Sequence, residues 1–195
     1  MDKQATIEIG KAAEHLVAAD LILSGYRATM VEAGLPYDLV LDHDGRIFRV
    51  QVKTCTGVCD LGLMHRRNRN GQRAGLGVGY MFHMHRNNGA GGYRAYAPGE
   101  IDLLALVALD IRIIAYLPVL GKPLRSVCLR LPGHQHDCRA QRRRNVDEFP
   151  IEGAMTALTG ARPVLAVKES RPQPEIARRT ILASIQKGLF DVALN

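Results

Sequence analysis

The sequence predicts an α/β domain, on three observations. A helix-period stretch opens the chain, two alternating apolar strands are joined by DHDG, and further short apolar runs follow, separated by Gly and Pro. The 195 residues suffice for one main domain with its own core and for an appendage beyond it.

The first element is a helix over about Thr6 to Ser24, stopped by Gly25 in the helix-ending position that tolerates positive φ. Val17, Ala18 and Leu21 lie three, four and seven residues past Glu14, so this carboxylate shares the apolar, sheet-facing stripe. Glu8, Lys11 and His15 fall on the other side.

A short β segment through Val31 leads to PYDLVLDHDGRIFRVQVK, residues 36–53, in which DHDG supplies hairpin-turn residues. Leu39 and Leu41 share one side of the first strand, and Phe48, Val50 and Val52 one side of the second. Burying both sets together requires Leu41 opposite Phe48 and Leu39 opposite Val50, which sets Asp38 opposite Gln51. The polar side then carries Asp38, Arg49, Gln51 and Lys53, gathered on one face toward the helix that bears Glu14.

Leu61 to Ala90 is rich in Gly, Arg and Asn and reads as loop around a strand near Val78 to His83. Tyr93 to Ala97 is expected to be a strand, EIDLLALVAL a short helical or buried run after Pro98-Gly99, and Ile111 to Val119 the last strand of the sheet. SVCLRL reads as a strand and FPIEGAMTALTG as a short helix begun by Pro150. Glu169 to Pro174 reads as a linker, and Ile181, Leu182, Ile185 and Leu189 stand at helical spacing in the tail. The expected organisation is a core over 1–120, a basic extension packed on it over 121–168, and a linker with an amphipathic helix over 169–195.

Hydrophobic content of 47% with 23% charged residues is that of a soluble globular chain. No apolar run approaches the roughly 20 residues a bilayer requires, which argues against a membrane protein. MDKQATIEIG lacks a signal-peptide core, so a cytoplasmic location is expected.

The formal charge is +7, and its distribution is uneven. Leu61 to Gly99 contains no acid but holds Arg66, Arg67, Arg69, Arg73, Arg86 and Arg94. Lys122 to Arg144 holds Arg125, Arg130, Arg139, Arg142, Arg143 and Arg144 against Asp137 alone. Half of the 26 basic residues therefore lie in two segments, a pattern suited to a polyanion that releases counterions on binding. The arginines of HRRNRNGQR are expected to contact DNA phosphates or guanine edges, and Arg142 to Arg144 phosphates or solvent.

Cys55, Cys59, Cys128 and Cys138, with His134 and His136, raise a zinc reading that the spacing does not favour, since neither cysteine pair has the compact C-x2-C form. His83 and His85 alternate and so share a strand face, where they could ligate a metal with His65 although such a pair is more often an ordinary surface feature, while Asp102 is assigned a helix-start or salt-bridge role.

Two acids, a glutamine and a lysine converging at a strand end suit one chemistry. Hard oxygen ligands with incomplete protein coordination are what Mg2+ prefers, and a nearby lysine can orient a nucleophile or stabilise charge on a phosphorane.

GKAAE, then PYDLVLD, then a Gly-turned strand ending QVKT resembles the PD-(D/E)xK nuclease superfamily. Within it the chain looks most like the intron-encoded homing endonucleases of the Q-x-K type, with archaeal Holliday-junction resolvases further off. GEIDLLALVALDIRIIAYLPV extends the resemblance, which spans about Ile9 to Pro118. It implies a restriction-endonuclease-like αβββαβ core with a mixed sheet, dependence on Mg2+ with Mn2+ as a substitute, and cleavage of double-stranded or branched DNA. By the same resemblance Asp38 is the central metal ligand, Gln51 occupies the second acidic position, Lys53 is the catalytic lysine, and Glu14 and the Val52 carbonyl are further ligands. A homodimer or higher oligomer is expected, because two strands of a duplex need two sites. Two departures stand out: Gln51 removes one negative charge, and Tyr37 separates Pro36 from Asp38. The alternative reading is a catalytically weak or inactive DNA-binding protein that keeps the nuclease fold.

Overall fold

A computed structural model describes residues 3–32, 34–61, 78–87, 92–121, 124–133 and 144–160. These belong to one compact unit, Met1–Arg162, while a second unit, Pro163–Asn195, lies outside the described residues. Also outside them are the arginines of HRRNRNGQR, Arg142, Arg143, His65, His134, His136, Cys138, the expected linker and the C-terminal helix.

Helix α1 (Lys3–Leu23) ends at Gly25, whose φ of 89° is open to glycine without a Cβ penalty. Strands β1 (Arg27–Met30), β2 (Leu39–His43) and β3 (Arg46–Cys55) follow as an antiparallel meander. The β2–β3 register pairs Leu39 with Val50 and Leu41 with Phe48, as the apolar alternation requires. Asp44 and Gly45, at φ 53° and 72°, make the tight turn between them, both positive as a two-residue hairpin of matching twist demands.

The chain then leaves the sheet through β4 (Cys59–Asp60), β5 (Val78–His83), β6 (Arg86–Asn87) and β7 (Tyr93–Arg94). It returns as β8 (Leu103–Ala108), parallel to β3, and turns back as β9 (Ile113–Pro118). Among the described residues the main sheet is therefore mixed and five-stranded, ordered β1-β2-β3-β8-β9. Strand β10 (Ser126–Arg130) joins β5 and β4 in a second sheet, and a 3-10 turn (Val146–Glu148) precedes α2 (Ile151–Thr159).

The main sheet is covered on both faces. Ala13, Val17 and Leu21 of α1 and Ile151, Ala154 and Met155 of α2 pack with Leu39, Leu41, Phe48, Val50 and Val52 on one face. On the other, Leu104, Leu106, Ala108 and Ala115 meet Tyr80, Phe82 and Leu129 of the second sheet. Strand β8 sits between the two cores, which is why LLALVA is apolar throughout and buried at every position. This mixed α/β architecture is consistent with the restriction-endonuclease-like class that the resemblance implied.

Of the two readings open for EIDLLALVAL, helical or buried run, the structure gives the second, as the buried strand β8. Two expectations change. The strand expected over Tyr93 to Ala97 stops at Arg94, because the Ala97 N–H donates to Glu100 Oε2 (2.6 Å) and the Ala95 carbonyl accepts from Arg94 (3.0 Å). Finally, α1 packs on the Val50 and Val52 face, so Gln51 and Lys53 fall on the opposite one, where Gln51 meets Asp38 and Lys53 meets His85 and Tyr96. The alternation that buries valines against a helix must turn their neighbours to the opposite side.

Candidate active site at the end of strand β3

Strand β2 begins at Leu39, so Asp38 stands just before it. The Asp38 N–H donates to the Val50 carbonyl (2.9 Å), and its own carbonyl accepts from Val31 (3.0 Å). Further along β3, the Val52 N–H donates to Asp38 Oδ2 (2.7 Å), so a side-chain carboxylate serves where a continued ladder would place a main-chain acceptor. The Gln51 amide nitrogen donates both to Asp38 Oδ2 and to the Val52 carbonyl, the latter at 3.0 Å. Two oxygens, one from the residue just before β2 and one from β3, thus converge on one donor group.

Glu14 reaches this point from α1, at the end of the sheet; it lines one cleft with Asp38, Tyr37, His15 and Lys11. Burial and then the Asp38 charge push the Glu14 carboxyl above its usual value, against Lys11 and His15. Burial likewise holds Asp38 above the ordinary 3.8, although the Val52 N–H, Lys53, Gln51 and Arg86 all act in the opposite direction.

Lys53 projects from the same face of β3 as Gln51, away from α1. Its Nζ donates to the His85 carbonyl (2.9 Å) and lies 5.2 Å from the centroid of the Tyr96 ring. Burial lowers its pKa, Asp38 opposes that shift, and Arg86 adds to it. Arg86 stands at the rim, where it acts on Asp38, Lys53 and Tyr96, and its guanidinium donates to the Gly34 carbonyl at 3.4 Å.

The donor set can be tested against the divalent cation that the resemblance implies. Among the described residues no group of three or more His, Cys, Asp and Glu converges. Any cation here must be held by the Asp38 carboxylate and the Val52 carbonyl, with Glu14 close by; the Gln51 amide, which turns its nitrogen to both of those oxygens, could join only through Oε1 after turning over. These are hard oxygen donors that leave room for water and substrate oxygens, as Mg2+ prefers. Both acids are held above their usual pKa, and a dication is the charge that would relieve that penalty. The residues therefore fit the group. The described cysteines do not make a zinc cluster, and the Cys55 thiol sits 3.0 Å from the Gly57 carbonyl.

Of the other sequence candidates, Arg144 is exposed, and its carbonyl accepts from the Arg130 N–H at 3.1 Å. Arg49, grouped with the polar face, is instead bound to Asp102 just before β8. Sequence reasoning missed His85 and Tyr96 as partners of Lys53. A main-chain carbonyl has no sequence signature, and Tyr96 lies outside any regular element.

Comparison with curated proteins gives no match. Among solved structures, a bacterial homing endonuclease aligns with a TM-score of 0.48 and 18% identity, over 70% of this chain and 86% of that chain. The sequence profile described as PD-(D/E)XK endonuclease matches residues 4–149, from the first turns of α1 through the 3-10 turn before α2. The match takes in Glu14, Asp38 and the QVK end of β3, and on it the chain belongs to the PD-(D/E)XK endonuclease family.

Proposed function

We propose that the protein is a Mg2+-dependent endonuclease that hydrolyses phosphodiester bonds in double-stranded DNA, with Mn2+ able to substitute. The observation that carries this reading is the convergence of Asp38, Gln51 and Val52 at the end of the strand that also presents Lys53.

Asp38, the Val52 carbonyl and the Gln51 amide through Oε1 would hold the cation, and Glu14 would hold it directly or through water. What Mg2+ supplies when bound is polarisation of the phosphoryl group and a lowered pKa for water. Lys53, a donor with no acceptor capacity, orients the attacking water or stabilises the negative charge that develops on phosphorus-bound oxygens. Arg86 at the rim, Arg144 and the arginines Arg66, Arg67, Arg69, Arg73, Arg142 and Arg143 supply phosphate contacts. Cutting both strands of a duplex calls for two such sites, hence a homodimer or larger assembly.

Cleavage of plasmid and junction DNA in Mg2+, beside Lys53→Ala and Asp38→Asn, tests the reading. Product formation by wild type alone is expected. Equal rates in all three proteins on every substrate would sink it, and salt-dependent binding without hydrolysis would favour the inactive DNA-binding alternative that Gln51 raises.

A further inference from the structure

Lys53 could satisfy its ammonium in three ways: in water, on the Asp38 carboxylate, or on the segment that crosses behind β3. The structure selects the third. Nζ donates to the His85 carbonyl at 2.9 Å and sits over the Tyr96 ring at 5.2 Å, while no direct ion pair joins it to Asp38 among the described residues. Tyr96 is only 3% exposed, and it packs with Ile101, Leu104 and Met84 beside an apolar cavity of about 290 Å³. Near-complete burial among these neighbours holds the ring at the ammonium, although one side of it borders the cavity.

We infer that the Tyr96 ring and the His85 carbonyl form a cradle that positions the Lys53 ammonium and keeps it off the Asp38 carboxylate. The two partners share one chemical property: both are uncharged. A carboxylate partner would fix a lysine but also neutralise it, whereas a carbonyl dipole and a π face hold it while leaving its charge to act on a phosphate. One N–H of three is committed to His85, so the rest remain for substrate or water. Separation also leaves Asp38 free to accept from Val52 and to hold a cation. Tyr96 is thus a positioning residue, and its consequence for cleavage rests on the nuclease reading above.

The test compares Tyr96→Phe, which keeps the ring face, with Tyr96→Leu, which removes it. Should the leucine variant fail to fold, Tyr96→Met gives the same comparison with a side chain that fills irregular gaps. The first measurement needs neither metal nor DNA. In protein with 13Cε-labelled lysine, the Lys53 ε-methylene signal, assigned by its loss in Lys53→Arg, is expected upfield from the ring current. It should stay there in Tyr96→Phe and move to the free-lysine position in the leucine or methionine variant. The second measurement is single-turnover cleavage in Mg2+: Tyr96→Phe should keep the wild-type rate, and removal of the ring should slow it about tenfold at unchanged DNA Kd. An upfield signal that persists without the ring, or is lost in Tyr96→Phe, overturns the cradle. Equal cleavage rates with and without the ring, in an active wild type, overturn the positioning role. If wild type cleaves no DNA, the nuclease reading fails while the spectra still decide the cradle.

Discussion

Arg49 and Asp102, 53 residues apart in sequence, lock the start of the parallel β3–β8 pair. The Asp102 N–H donates to the Arg49 carbonyl at 2.9 Å, and Asp102 Oδ2 accepts from both the Arg49 N–H and Nε at 2.8 Å. A second guanidinium nitrogen reaches Oδ1 at 2.9 Å, completing a bidentate pair. Burial works against the Asp102 charge, yet the Arg49 bonds outweigh it and hold the carboxyl below its ordinary 3.8. A carboxyl depressed by folding contributes stability above its unfolded value, and that contribution is lost as pH falls through the folded one. Asp102→Asn should therefore cost about 2 kcal/mol near neutrality. The deficit should shrink below pH 3.8, and urea unfolding across that range checks it. A deficit independent of pH would contradict the assigned charge state.

Lys53→Met should separate chemistry from stability. The substitution keeps an apolar stem on the Tyr96 ring and removes a charge that burial disfavours. Cleavage is expected to fall by about 100-fold or more, as loss of a positioned charge-stabilising donor does. The thermal midpoint should hold or rise. A melting curve beside a single-turnover time course gives both numbers, and a large fall in midpoint would show the lysine to be structural.

Gln51→Glu restores the second acid of the family motif and probes the cation directly. Without metal it replaces an amide donor by a carboxylate facing Asp38 and the Val52 carbonyl, so the thermal midpoint should drop. Mg2+ should then raise the midpoint further in this variant than in wild type, since binding to the folded state alone is stabilising. Midpoints of both proteins that ignore Mg2+ would remove the cation from this site.

Arg86→Ala should weaken DNA binding across sequences and lower the slope of log affinity against log salt by about 0.9, one phosphate contact. Affinity titrations at several salt concentrations measure it. An unchanged slope would mean that Arg86 serves only its neighbours in the site.

The hairpin was legible because only one register buries Leu39 and Leu41 with Phe48 and Val50, and that register delivers Asp38 to Gln51 and Val52. Helix α1 was legible from its period and its glycine stop. The character of LLALVA was not, since a run buried on both faces has no alternation to read, and its parallel partner lies far away in the chain. The alternation of β3 already implied that Gln51 and Lys53 turn away from the helix, against the expectation that they face it, but what they meet on that side could not be read. It depends on a second sheet assembled from β4, β5 and β10, whose contacts leave no trace in the QVK motif. Arg49 and Asp102 were each visible as charges, but their pairing follows only from the parallel register.

Parallel pairing of β3 with β8 has a consequence for the order in which the domain can form. Helix α1 and strands β1 to β3 are neighbours in sequence and can collapse together with little loop-closure entropy. Strand β8 can join only after everything between Cys55 and Leu103 has been gathered back, and the seat of Lys53 at His85 and Tyr96 belongs to that returning stretch. A chain folded only as far as β3 would already carry Asp38, Gln51 and Lys53, yet its lysine would be untethered. Competence would then arrive with closure of the whole domain, later than the motif by which the site is known.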